Sequence, residues 1–128
     1  LTQFLRSARI EWHGVKLGEP DWSEQGRSLA VTFQEPDGPA LAHVMVNAWR
    51  EPLHFELPPV ESGWHRMVDT FLPSPDDIRT WEEAAVLDTG SYLVNPNSFV
   101  FLAALAAEQA EEVTPSPGRT STPPAPAR

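Results

Sequence analysis

Cysteine is absent from the 128 residues, which excludes a disulfide framework, a thiolate metal site and a thiolate nucleophile. Basic residues are scarce: nine Lys and Arg stand against 18 Asp and Glu, for a formal net charge of −9. Nucleic-acid binding needs Lys and Arg to neutralise phosphates, so the charge argues against that partner and equally against an anionic membrane surface. A neutral ligand such as a polysaccharide is indifferent to the charge, which favours solubility. Long apolar runs are missing as well. The longest, Phe99–Ala107, reaches about half of the roughly 20 residues that cross a bilayer, and reads as a buried strand with an extension.

Catalytic signatures are equally sparse. No GxSxG occurs, and no serine is marked out by its surroundings. His13, His43, His54 and His65 are separated by 30, 11 and 11 residues, whereas metal sites often use close pairs such as HxH or HxxxH. His43, His54 and His65 would have to meet across a sheet to hold an ion, so no metal and no cofactor is expected. A glycoside hydrolase needs two carboxylates about 5–10 Å apart, flanking the bond it cuts. Asp76 and Asp77 adjoin, but after Pro73-Ser74-Pro75 they read as turn formers or a helical cap. Asp69 falls at a strand end and Asp21 in a loop. Structural or solvated roles are expected for all four, and no catalytic residue is assigned.

What is present is a β pattern on a globular composition. Hydrophobic content of 41% supports a small core, and the length suits one domain. In Ser28–Phe33, Leu29, Val31 and Phe33 alternate with Ser28, Ala30 and Thr32; Leu53, Phe55 and Leu57 oppose His54 and Glu56 in the same way. Further strands are expected at Ile10–Trp12, Ala42–Asn47, Trp64–Thr70, Ser91–Val94 and Ser98–Leu105, with Trp49–Pro52 as a hairpin-like link. Glu35–Pro39 is a turn, because Pro fixes φ and Gly accepts positive φ. A polar connection carries Trp81 and Glu82-Glu83.

Short alternating strands at roughly 8–12-residue spacing imply an all-β fold: a single antiparallel β-sandwich of about seven or eight strands. It is expected to span residues 10–107. Residues 1–9 have a helical spacing too short to stand alone and read as a connector from an upstream unit. Ala103–Glu112 keeps a helical alternative, because Ala, Leu, Glu and Gln are good helix formers. Residues 108–128 form a tail, disordered from about residue 114, since Thr114–Arg128 has no large apolar side chain to offset the entropy of ordering.

Five tryptophans mark the chain: Trp12, Trp22, Trp49, Trp64 and Trp81. Sugar rings stack their C–H faces on indoles, but Trp also buries a large area in cores and domain interfaces. Core or interface packing is expected for Trp12 and Trp64, which lie in strands. Trp49 and Trp81 lie in connections, where both readings stay open. Trp22 sits between Asp21 and Ser23, which fix loops through side-chain-to-backbone hydrogen bonds, and is expected to plug against a neighbouring domain. The candidates for carbohydrate or interdomain contact are therefore Trp12, Trp22, Trp49 and Trp81.

The strings WHGVKLGEPDW at 12–22, RSLAVTF at 27–33, VNAWREPLHFELP at 46–58 and WHRMVDTFLPSPDDI at 64–78 carry a family likeness. Together they resemble the C-terminal domain of isoamylase-type glycogen and starch debranching enzymes, in the alpha-amylase superfamily. The words WHG, PDW, RSLA, NA, ELP, VDT and SPDDI follow the family's order and spacing from roughly Ile10 to Leu102. The resemblance implies a β-sandwich packed against a catalytic (β/α)8 barrel of the same parent chain. That barrel would hydrolyse α-1,6-glucosidic branch linkages, with its carboxylates at the C-terminal ends of the barrel strands.

None of the barrel's motifs is present in these residues, so the resemblance implies a non-catalytic accessory domain that stabilises the barrel. An α-glucan-binding module using exposed Trp residues is the alternative. The implied location is cytoplasmic for a bacterial source and plastid stroma for a plant or algal one. The chain alone is expected to release no reducing ends from glycogen or pullulan under conditions where a complete debranching enzyme does. Release by this chain would overturn the accessory reading.

Overall fold

A computed structural model of the protein describes residues 8–105. The expected connector up to residue 7, the tail, and the helical alternative beyond residue 105 lie outside the described residues. Eight strands form: β1 Arg9–His13, β2 Ser28–Gln34, β3 Ala40–Asn47, β4 Leu53–Glu56, β5 Trp64–Asp69, β6 Ala85–Leu87, β7 Ser91–Val94 and β8 Ser98–Ala103. A six-stranded sheet has the order β1-β2-β3-β8-β5-β6, and β4 pairs with β7 in a second, two-stranded sheet. Every pairing is antiparallel. The chain is all-β among the described residues, with the small sheet lying over part of the large one.

The core lies between the sheets. Phe55 and Val94 of the small sheet meet Met45, Val100 and Leu102 of the large one, each fully buried. Trp64 joins them at 2% exposure, and its indole N–H donates to the Pro58 carbonyl at 2.8 Å, which satisfies its polar end. The alternation of Leu53, Phe55 and Leu57 against His54 and Glu56 holds: Phe55 and Leu57 are buried and the two polar residues exposed.

Three local expectations change. Trp49–Pro52 is not a hairpin link, because β3 belongs to the large sheet and β4 to the small one. Asn47 makes the crossing: its Nδ2 donates to the carbonyls of Glu51 at 2.9 Å and Val94 at 3.0 Å, and its Oδ1 accepts from Trp49 N–H at 2.8 Å. In the Glu35–Pro39 turn, Asp37 rather than Gly38 takes the positive φ, at 55°, as a short polar side chain tolerates. The polar connection around Trp81 ends in the short strand β6, three residues that are too few to show a period.

A polar chain crosses the inner face of β1, β2 and β3. Gly18 N–H donates to His13 Nδ1 at 2.7 Å, so the neutral ring carries its proton on Nε2. That proton goes to Thr32 Oγ1 at 2.8 Å, and the Thr32 hydroxyl donates to His43 Nδ1 at 2.8 Å. His43 is left with a buried Nε2–H and no partner. Each donor fixes the next, so neither ring can take a second proton without losing a bond.

Burial pushes the His43 pKa down from 6.5 to about 3, with His13 adding repulsion; burial also lowers His13, against a smaller raising effect of Glu11. The unfolded chain therefore binds more protons than the folded one below pH 6.5. Stability is complete above that value and is lost as pH falls from about 6.5 towards about 3. Urea unfolding is expected to show a loss of about 2 kcal/mol from His43 between pH 7 and pH 5. His43→Asn, whose Oδ1 can accept in place of Nδ1, is expected to flatten that slope; an unchanged slope would contradict the relay.

Candidate functional site

Strand β2 turns its large apolar residues away from the core. Ala30 and Thr32 are buried at 1%, whereas Leu29, Val31 and Phe33 face outward and are half-buried. The inward places on β1 to β3 are filled by the His13–Thr32–His43 chain, so the bulk goes to the other side. Register carries this across the sheet. One row runs Trp12, Val31, Val44, Phe101 and Val68; a second runs Leu29, Val46 and Phe99; a third runs Ile10, Phe33, Ala42 and Ala103. An antiparallel sheet with one solvated face normally alternates apolar-in with polar-out. This one carries its large apolar residues on the outer face as well, while the inner face holds the core and the His13–Thr32–His43 chain.

The outer face is covered at one end and open at the other. Beyond β8, Trp81 lies on the His65 ring, which follows Ala103 in the third row, with centroids 3.6 Å apart and planes at 14°. Burial lowers the His65 pKa from its ordinary value. Arg79 ties this segment together by binding Asp76 and, at 2.9 Å, Glu83. Over β1, β2, β3 and β8, Ile10, Trp12, Val46 and Phe99 stay 36–47% exposed.

Trp22 stands beside that open region, 65% exposed, with its ring edge-on to Trp12 at 5.5 Å and 70°. Asp21 Oδ1 accepts from Ser23 N–H at 3.0 Å, and Gly26 N–H bonds Ser23 O at 3.0 Å. A Cβ on Gly26 would come within 2.6 Å of the Asp21 carbonyl, so the loop closes only around glycine. The loop holds Trp22 against a hollow of about 240 Å³ lined by Leu29, Val46 and Ala48 together with the polar Asp21, Arg27 and Ser28.

The structure thus brings together two of the four candidate tryptophans. Trp12, expected in core or interface packing, is not in the core but on the outer face of an edge strand. Trp49 is half-buried beneath the Arg50 guanidinium, 4.7 Å from its ring centre, and Trp81 is engaged with His65. Sequence reasoning missed the aliphatic part of the face, notably Val44, Val46, Phe99 and Phe101. Its signal was the unbroken apolar runs Val44-Met45-Val46 and Phe99-Val100-Phe101-Leu102, which mark strands covered on both sides.

Three of the four carboxylates, those of Asp21, Asp69 and Asp76, are bound into the framework, and Asp77 takes part through its main chain. Asp69 is buried at 2%; its Oδ1 accepts from Phe71 N–H at 3.1 Å and its Oδ2 from the Tyr92 hydroxyl at 2.5 Å. That bond joins the two sheets. Burial, and then Asp69, push the Tyr92 phenol up to about 12. Asp76 binds Arg79, Asp21 caps its own loop, and the Asp77 carbonyl accepts from Asp69 N–H at 2.9 Å. His43 lies on the inner face, His65 on the outer face and His54 on the small sheet, so the three do not converge. Among the described residues, no three His, Cys, Asp or Glu side chains are placed to share a metal ion.

A family model described as Isoamylase 1-3, C-terminal, matches residues 11–100. The chain is 33% identical over 107 residues to isoamylase SU1, chloroplastic, of Zea mays, a stretch that is 80% of this chain and 13% of that protein. It is 31% identical over 106 residues to isoamylase 1, chloroplastic, of Oryza sativa subsp. japonica, again 80% of this chain and 13% of the relative. The chain therefore spans 13% of the length of either relative.

Proposed function

The chain belongs to the isoamylase 1-3 C-terminal family, and from that premise we propose that it is the non-catalytic accessory domain of a starch or glycogen debranching enzyme. In this reading α-1,6 branch hydrolysis is carried out by a (β/α)8 barrel of the same parent chain. The sandwich of residues 10–107 covers and stabilises that barrel, residues 1–9 connect the two, and residues 108–128 trail as a tail. The relatives' printed names make them chloroplastic, which suits a plastid stroma location for a plant or algal source; a bacterial source would place it in the cytoplasm.

The observation that carries this reading is the open apolar face. Trp12 is 47% and Trp22 65% exposed, so covering those parts alone removes on the order of 200 Å² from water, or roughly 5 kcal/mol. That is comparable with the whole stability of a small domain, and it is gained only when another surface lies on the face. Topology supports the choice of occupant. Ile10 and Trp12 belong to β1, the first strand and an edge of the sheet, so a domain joined through residues 1–9 arrives beside the face it would cover.

Alpha-glucan binding by the exposed indoles is the second reading, and the exposure of Trp22 is what favours it. A flat sugar platform suits coplanar rings, however, and the Trp12–Trp22 pair is edge-on over an aliphatic floor. Removing residues 8–105 from the complete parent polypeptide is expected to lower the temperature at which branch hydrolysis is lost by at least several degrees. Electrophoresis of this chain in gels with and without glycogen is expected to show the same mobility. Retardation by glycogen would favour the binding module, and unchanged heat stability would sink the accessory role.

A further inference from the structure

We infer that the hollow beneath Trp22 is the anchor point of the domain junction, receiving one large apolar side chain from the catalytic domain of the parent chain. This rests on the accessory-domain reading and adds where on the face the junction is fixed. Interfaces draw most of their binding energy from a few buried aromatic or aliphatic residues seated in pockets, ringed by near-neutral contacts. Most of the outer face here is flat β-surface. The hollow is a recess in that face, walled by the exposed Trp22; a second cavity, along Glu11–Gly18 with Pro58-Pro59, reaches the face at Trp12.

Size and chemistry select the occupant. The hollow measures about 240 Å³, and an enclosed apolar cavity of roughly 150 Å³ already holds a benzene ring. One aromatic or branched aliphatic side chain therefore fits, with room for part of its backbone. An apolar side chain packed on Trp22, Leu29, Val46 and Ala48 removes apolar area from water on both partners, whereas the polar side chains within the lining are those of Ser28, Asp21 and Arg27. Asp21 and Arg27 at the rim place one charge of each sign beside the recess, where they can hold the backbone that delivers the side chain.

The walls are set before any partner arrives. Trp12 braces the Trp22 ring edge-on, the tight Gly26 turn fixes the loop, and the Leu29–Val46 pair is part of the β2–β3 ladder. A preformed pocket loses little ordering entropy when it is filled. The length of the relatives points to the same occupant: the matched region is 13% of each, and its family is described as C-terminal. In each relative most of the polypeptide lies outside the matched region, and a parent chain of that kind has ample length to supply the side chain.

The absence of cysteine gives a direct test. Ala48→Cys places a thiol on the floor of the hollow, and Leu93→Cys places one on the outward side of the small sheet, where Leu93 is 40% exposed. In the folded parent polypeptide, with alkylation read by peptide mass spectrometry, the thiol at 48 is expected to react at least tenfold more slowly than the one at 93. The two should react at similar rates in urea. Ala48→Phe, which fills the recess, is expected to lower the heat-inactivation temperature of the parent, and Leu93→Phe to leave it unchanged. Equal reactivity at 48 and 93 in the folded parent would overturn the anchor. If removing residues 8–105 destabilises the parent while position 48 stays reactive, the domain docks elsewhere and only the anchor fails. If that removal changes nothing, the accessory reading itself fails and takes the anchor with it.

Discussion

The structure depends on one asymmetry: a six-stranded sheet with large apolar residues on its outer face as well as on its core side is offered only a two-stranded sheet to cover it. The small sheet brings Phe55 and Val94 down on Met45, Val100 and Leu102, and that contact creates the core. It also leaves the other side of the same strands with Trp12, Val31, Val44 and Phe101 in one row. Strands hydrophobic on both faces belong to sheets that are covered twice. Part of the second face is covered internally, where Trp81 lies on His65, and part stays exposed among the described residues.

Polar groups hold this arrangement in place without forming a reactive centre. Asn47 pins the crossing from the large sheet to the small one, and Asp69 with Tyr92 ties the sheets at the opposite side of β8. The His13–Thr32–His43 chain locks β1, β2 and β3 and leaves His43 Nε2 unsatisfied. Buried polar groups of this kind stabilise less than apolar packing of the same volume, and they fix a unique register when every bond has one direction. By filling the inner face with imidazoles and a threonine, they send Leu29, Val31 and Phe33 outward. The apolar outer face and the buried relay are two sides of one placement.

The debranching-enzyme family and the all-β antiparallel sandwich were legible from residues. WHG, PDW, RSLA and SPDDI carried the family, and the alternation in β2 and β4 carried the strands. The Trp12–Trp22 partnership was not legible: nine residues and a loop separate them from any shared strand, and only the Asp21–Gly26 turn folds one ring against the other. The link at Trp49–Pro52 looked like a hairpin because it is short. What makes it a crossing is Asn47 reaching the carbonyl of Val94, 47 positions away.

By itself, then, the sequence determined class and family, because local alternation, turn residues and family words are properties of neighbouring positions. Which face of each strand meets the core was decided only in the tertiary structure. A period of two says that Leu29, Val31 and Phe33 share a side, and it is silent on which side that is. The choice depended on partners distant in sequence: His43 beside Thr32, Phe55 against Met45, and no strand at all above Val46. That last vacancy, among the described residues, leaves a stripe of ordinary-looking core residues exposed.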